Sequence, residues 1–253
     1  MAEITQLIHQ YLRHNKKFPL VFCPGCGHGI VLGSLVRSVH ALGLPKDDVV
    51  IVAGIGCSGR IAAYVDFNTV HTTHGRALTV ATGIKMANPK LTVIAVMGDG
   101  DAFSIGGNHL IHAARRNIGV TALVLNNFIY GMTGGQMAPT TMVGQKTTTC
   151  PAGRCMEREG GPIHMSEIIA TLGGVAYCAR TAVNTIKNIA QTKRAIRRAF
   201  ETQINGEGFG FVEVLATCPT NWRMTSVAAN ERVGKEMIPE FPLGVFKDAA
   251  KEE

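Results

Sequence analysis

The chain has 253 residues, 46% hydrophobic and 17% charged, with 29 glycines, 10 prolines and 7 cysteines. That is enough apolar side chain for a large core, and it excludes a disordered chain, which combines low hydrophobicity with high charge. A formal charge of +7 points to acidic partners, while the longest apolar stretches, Val49–Ile55 and Leu91–Met97, fall far short of the ~20 residues that span a membrane.

The opening stretch, MAEITQLIHQYLRHNKK, carries an acid and has no apolar h-region or small-residue cleavage site, so no export signal is expected and the cytoplasm is the default. Seven cysteines in that setting read as reduced thiols, metal ligands or catalytic groups rather than a disulfide framework. Cys23-Pro-Gly-Cys26-Gly-His28 is a C-x-x-C immediately before a helix predicted over Gly27–Leu42. A strand over Asp48–Gly56 follows and runs into Gly54-Ile55-Gly56-Cys57-Ser58-Gly59. This G-x-G-x-x-G suggests a Rossmann dinucleotide site, which also wants an acidic residue about 20 positions on. None occurs between Asp66 and Asp99, and that reading is set aside.

His71-Thr-Thr-His74-Gly75-Arg76 opens a helix over Gly75–Ala87, where polar side chains beside a helix N-terminus suit a diphosphate or carboxylate. The next strand, Leu91–Gly100, ends on Gly98-Asp99-Gly100-Asp101. After a helix over Ser104–Arg116, the strand Val120–Asn127 ends on Asn126-Asn127. A carboxylate at one strand end and an amide at its neighbour put two hard oxygen ligands side by side, as magnesium anchoring a diphosphate requires. Gly98 and Gly100 would let the backbone approach phosphate oxygens.

Gly131–Pro162 breaks the alternation with a long loop, of a length that is usually functional. Then come a helix over Ser166–Leu172, a strand over Gly174–Arg180, a helix over Val183–Gln203 and a strand over Phe209–Cys218 that ends on Cys218-Pro219. The strands are continuous apolar runs separated by helices, so the expected fold is α/β: a mostly parallel sheet with helices on both faces and ligands beyond its carboxyl ends. The basic segment Thr192–Arg198 reads as a solvated face before a partner face. Four thiols, Cys23, Cys26, Cys57 and Cys218, could gather along one sheet edge; C-x-x-C serves iron–sulfur clusters and zinc alike, and spacing does not choose between them. Cys150 and Cys155 lie in the long loop, and Cys178 is expected in the core. A zinc or nucleic-acid-binding module would want aromatic residues interleaved with clustered charge, but the chain has one Trp and four Tyr and its basic residues are spread out.

Taken together and in this order, CPGCGH, GCS, HGRA, GDG followed by NN some 27 residues later, NNFIYGMTGGQ and the late TCPT resemble the β subunit of the 2-oxoacid:ferredoxin oxidoreductases. The likeness runs from about Phe22 to Pro219, and the 2-oxoglutarate enzymes look most similar. The resemblance implies one thiamine-diphosphate-binding domain over residues 1–253, with a cysteine motif at 22–29 and an active-site loop at 131–162. It implies that Asp99, Asn127 and the Ile129 carbonyl bind Mg2+. Thiamine diphosphate would be lined by Ile55, Gly56, Cys57, Ser58, His74, Gly75, Arg76, Gly100, Asp101, Gly131 and Met132. Cys23, Cys26, Cys57 and Cys218 would hold one 4Fe–4S cluster, and Arg60, where relatives carry a basic residue, would clamp a substrate carboxylate, with His74 beside the reacting centre. The implied reaction is oxidative decarboxylation of a 2-oxoacid, best matched by 2-oxoglutarate to succinyl-CoA, with pyruvate, 2-oxoisovalerate and non-oxidative thiamine chemistry as alternatives. Implied partners are an α subunit carrying the pyrimidine-binding domain, in an αβ pair doubled to a heterotetramer, with ferredoxin and coenzyme A. Small γ and δ subunits are further partners such enzymes can add; neither nucleic acid nor a membrane is expected.

Overall fold

The computed structural model describes residues 7–15 and 18–251; the opening stretch read for an export signal lies partly outside them, at residues 1–6, 16 and 17. Its frame is a seven-stranded sheet: β1 (Val49–Ala53), β2 (Asn68–His71), β3 (Thr92–Gly98), β4 (Thr121–Asn126), β5 (Val175–Ala182), β6 (Phe209–Leu215) and β7 (Gly244–Asp248). The strand order is β2-β1-β3-β4-β6-β5-β7, parallel throughout except where β7 runs antiparallel to β5. All five predicted strands are present; β1, β3, β4 and β6 are shortened where their polar ends leave the ladder for the loops that build the site, while β5 runs two residues past the predicted Arg180 to Ala182. The strands not predicted, β2 and β7, are the two sheet edges. Their residues are partly exposed and lack the continuous apolar run that marks a strand covered on both faces.

Helices α1 (His28–Ala41) and α5 (Ile186–Ile204) cover one face of the sheet, burying Val31, Leu35, Ile196 and Phe200 against Ile51, Ile94 and Val212. On the opposite face α2 (Ala77–Ala87), α3 (Gly107–Arg115) and α4 (Met165–Ala170) pack Leu78, Leu110 and Ile169 against Val52, Ala95 and Phe211. The Thr185 hydroxyl caps α5, accepting from Asn188 N at 3.2 Å. The helix predicted from Ser104 begins differently. A π-turn over Asp101–Ile105 precedes α3, with Gly106 N donating to Asp101 O at 3.0 Å. Such turns recur at functional sites.

A third apolar cluster lies over the carboxyl ends of the strands. Trp222, Ala229, Val233, Met237 and Phe241, from short helical turns after β6, close on Phe128, Ile129 and Leu215. Nothing in the sequence reading anticipated this cap. Nor is the 131–162 loop slack. Arg154, almost fully buried, donates to the carbonyl oxygens of Pro139 (2.9 Å), Thr141 (2.6 Å), Gly160 (2.7 Å) and Gly161 (2.5 Å), pinning both ends of the excursion to one guanidinium. Among the described residues no helix is long and apolar enough to cross a membrane.

Candidate active site

Strand register brings the polar termini together. Ala53 of β1 pairs with Val96 of β3, Gly98 of β3 with Leu125 of β4, and Asn126 of β4 with Leu215 of β6. The Gly54–Gly59 turn, the GDGD turn, the Asn126-Asn127 turn and Cys218 therefore leave the same end of adjacent strands. This lies at the reversal of strand order between β1 and β3, where parallel sheets open a ligand crevice.

Asp99 and Asn127 are both buried there. Asp99 Oδ2 accepts from the Thr140 hydroxyl at 2.5 Å, which leaves Oδ1 for another partner. The Asn127 side-chain oxygen stands 3.2 Å from Asp99 Oδ1 and 2.6 Å from the Ile129 carbonyl oxygen. Three acceptors facing one another need either a rotated amide, whose NH2 would bond the other two, or a cation. Adjacent oxygens of an octahedron with ligands at 2.0–2.1 Å lie about 2.9 Å apart, a spacing that the two observed distances bracket. The donor set, one carboxylate, one amide and one carbonyl, is all oxygen and suits magnesium. Burial pushes the Asp99 carboxyl up to about 7.

A cavity of about 320 Å³ opens above this group. Of the residues expected around the cofactor, Ile55, Gly56, Cys57, Ser58, His74, Gly100, Asp101, Gly131 and Met132 line it. Asp99, Asn127, Ile129, Leu125 and Tyr130 form more of its wall, and among the described residues no glutamate contributes. Gly75, Arg76 and Arg60 stand outside the lining. Gly75 N donates to Asp101 Oδ1 at 2.7 Å, tying the HGRA turn to the end of β3. Arg76 reaches back to the carbonyls of Gly75 and Ile105, each at 3.4 Å. Arg60 is exposed on the rim, close enough that its charge favours the Cys57 thiolate.

The structure uses Asp101 internally. Its Oδ1 also receives Ile55 N at 3.4 Å and lies 2.8 Å from His74 Nδ1, while Oδ2 is buried without a partner. A Cβ on Gly54 would collide with that carboxylate, so only glycine fits there. Burial raises the Asp101 pKa, against the opposing hydrogen bond from Gly75.

All seven cysteines are free thiols. Cys23, Cys26, Cys57 and Cys218 come near enough to perturb one another. Burial pushes Cys26 up to about 12, and Cys218, Cys57 and Cys23 add to the shift. Cys57 and Cys218 are raised for the same reasons, burial first. Cys218 Sγ accepts from Asn221 Nδ2 at 3.4 Å, and Cys26 Sγ lies 2.9 Å from His28 Nδ1. The His28 ring is fully buried, lines the cavity and has its pKa lowered to about 4 by burial. Among the described residues no three His, Cys, Asp or Glu side chains close to the spacing of a single metal ion. Cys178 lies in the core as expected, donating to Ser166 O at 3.3 Å.

Several residues that shape the site had no motif to betray them. Thr140 and Arg154 come from the long loop, and Asn221 and Trp222 from the cap; Asn221 Nδ2 donates to Gly131 O (2.9 Å) and Trp222 Nε1 to Asn127 O (3.2 Å).

A mostly parallel sheet with three oxygen donors converging at its carboxyl ends fits the class that the sequence comparison defines: residues 41–214 match the C-terminal thiamine pyrophosphate-binding domain of the thiamine pyrophosphate enzymes. The chain belongs to that family. Within it, the chain is 46% identical to the 2-oxoglutarate synthase subunit KorB of Archaeoglobus fulgidus, covering 96% of this chain and 90% of that one. It is 42% identical to the ketoisovalerate oxidoreductase subunit VorA of Methanothermobacter thermautotrophicus, over 91% of this chain and 48% of that one. The solved 2-oxoglutarate:ferredoxin oxidoreductase of Magnetococcus marinus, a complex with 2-oxoglutarate, coenzyme A and succinyl-CoA, superposes with a TM-score of 0.76 at 30% identity, over 95% of this chain and 84% of that one. The chain is thus a β-type subunit of the 2-oxoacid:ferredoxin oxidoreductases.

Proposed function

We propose that this subunit serves a coenzyme A-dependent oxidation of 2-oxoglutarate to succinyl-CoA, with Mg2+ held by Asp99, Asn127 and the Ile129 carbonyl, and with a 4Fe–4S cluster held by Cys23, Cys26, Cys57 and Cys218. The observation that carries the reading is the three-oxygen convergence on the floor of a cavity whose wall includes Cys57. Thiamine diphosphate, when bound, supplies the nucleophilic carbon and the electron sink for decarboxylation. The protein orients it. Asp99, relieved of one lone pair by Thr140, turns its free oxygen to the metal, and the Gly98–Gly100 turn gives phosphate oxygens a close backbone approach.

The mutual perturbation of the four thiols supports a shared inorganic centre, and kinship with the 2-oxoacid:ferredoxin oxidoreductases supports an iron–sulfur cluster over zinc. Cys57 belongs to both groups, which keeps the path from cofactor to cluster short. Arg60, exposed and close to Cys57 of the cavity wall, would meet the distal carboxylate of a dicarboxylic substrate arriving from solvent. Among the described residues no glutamate lines the cavity, which fits an α subunit that would bring the acid activating the aminopyrimidine. Electrons would leave to ferredoxin.

The test is anaerobic purification with the α partner, iron and sulfide analysis, EPR of the dithionite-reduced protein, and a 2-oxoacid panel with coenzyme A and a viologen dye. Roughly four irons per β subunit and preference for 2-oxoglutarate are expected. A colourless, iron-free complex would refute the cluster, and indifference between 2-oxoglutarate and pyruvate would refute the substrate.

A further inference from the structure

Beneath the metal site lies a buried ionic network that the reaction does not itself require. Glu213, in the middle of β6, is fully buried. Its Oε2 accepts from Arg180 Nε at 2.8 Å and from the Ser166 hydroxyl at 2.5 Å, and its Oε1 accepts from Asn126 Nδ2 at 2.7 Å. A carboxylate and guanidinium in a sheet core carry a desolvation cost that an apolar pair would avoid, so a purely structural role explains them poorly. The chain of contacts continues toward the site. Asn126 Oδ1 accepts from Phe128 N at 3.0 Å. Phe128 has φ of +61°, a conformation that bulky residues rarely adopt and that needs outside support. Thr141 Oγ1 (2.7 Å) and Gln145 Nε2 (2.9 Å) donate to the Phe128 carbonyl from the other side.

The left-handed turn at Phe128 separates Asn127 from Ile129 and brings the Asn127 side-chain amide within 2.6 Å of the Ile129 carbonyl oxygen. We propose that Glu213 is a positioning residue for the metal site: through Asn126 it holds Phe128 left-handed and so sets the spacing of the Asn127 and Ile129 oxygens. This rests on reading Asp99, Asn127 and Ile129 as the magnesium ligands. Arg180 pairs with the Glu213 carboxylate, and its guanidinium stacks 5.0 Å over Phe241, whose ring meets that of Phe128 edge-on at 4.8 Å. The Phe128 backbone and ring thus answer to the same ion pair.

The experiment is equilibrium dialysis of thiamine diphosphate against the purified αβ complex at graded Mg2+. Glu213→Gln turns an amide NH2 toward the Asn126 NH2, because Arg180 retains the remaining oxygen. Apparent Mg2+ affinity is expected to fall 10–100-fold, the range for losing a partner that orients a ligand. Asn126→Asp, which sets two carboxylates face to face, is expected to do the same. The double exchange N126D/E213Q restores a donor–acceptor pair with the same net charge beside Arg180, and its affinity should return to within about threefold of the parent.

Gln203→Met is the structural control. Gln203 is a buried amide at the opposite end of the sheet, bonded to Val93 N (2.9 Å), Val93 O (3.2 Å) and Thr121 Oγ1 (2.8 Å), so its loss should lower Tm and leave Mg2+ affinity unchanged. Thr141→Val, which removes one of the two donors to the Phe128 carbonyl without touching the ion pair, should weaken Mg2+ and decides the matter if E213Q does not fold. Unchanged affinity in E213Q or T141V, an equal loss in Q203M, or no recovery in the double variant would overturn the proposal. If Asp99→Asn left Mg2+ and thiamine diphosphate binding intact, the ligand reading itself would fail instead.

Discussion

Asp99 couples the site to pH. Its carboxyl moves from an ordinary value of 3.8 to about 7 because burial penalises the charged form more than the Thr140 hydrogen bond favours it. Roughly three pKa units correspond to about 4 kcal/mol. Between about pH 4 and 7 the folded chain keeps a proton that the unfolded chain has lost, so stability declines as pH rises through that window and stays reduced above it. Asp99→Asn keeps an acceptor for Thr140 and removes the charge. Without divalent cation at pH 8, this variant should melt roughly 10 °C above the parent, with little difference near pH 4. Asp101, also raised by burial, retains its own share of the pH dependence in both proteins. If Asp99 is a magnesium ligand, Mg2+ should reverse the ranking by competing with the proton for it, so the parent is expected to gain stability with Mg2+ and thiamine diphosphate and the variant is not. For the parent, apparent Mg2+ affinity should rise about tenfold from pH 6 to pH 8. Circular-dichroism melts of the complex with EDTA or Mg2+ across this range test it. Equal melting of parent and variant at pH 8 without cation, or a parent affinity unmoved by pH, would refute the reasoning.

Other outcomes follow from single contacts. Arg154→Met leaves at least four carbonyls of the long loop without their donor, and should lower stability by about 3 kcal/mol and loosen Thr140, weakening thiamine diphosphate retention; a loop of unchanged protease resistance would contradict this. Arg60→Met should reduce kcat/KM for 2-oxoglutarate about 100-fold while sparing pyruvate, the magnitude of a lost charge-assisted pair; equal losses on both substrates would remove the clamp. Cys23→Ser, at an exposed thiol, should deplete iron while thiamine diphosphate stays bound; full iron content would strike Cys23 from the ligand set. With a net charge of +7, electron transfer to an acidic ferredoxin should slow as ionic strength rises and the Debye length shrinks from about 30 Å at 0.01 M to about 3 Å at 1 M. A salt-independent rate would argue against steering.

The parallel sheet was legible because strands covered on both faces are dominated by apolar residues, and β1, β3, β4, β5 and β6 are buried along their length with Arg180 and Glu213 as a paired charged exception. The sheet edges and the cap were not. A half-exposed strand of four or five residues, such as Asn68–His71 or Gly244–Asp248, gains its identity from the neighbour it pairs with rather than from its own composition.

The same division runs through the site. Asp99 and Asn127 could be paired from sequence alone, since strand ends of a parallel sheet lie side by side and metal chemistry demands oxygen there. What tertiary structure alone decided is how those oxygens are aimed. Thr140, Asn221 and Trp222 act on them from loops that packing brings back over the sheet, and Glu213 acts from within a strand that composition marks only as core. Ligand identity is a matter of side-chain chemistry and is written locally. Ligand orientation depends on contacts between residues as many as 95 positions apart, such as Trp222 with Asn127, which exist only once the chain has folded.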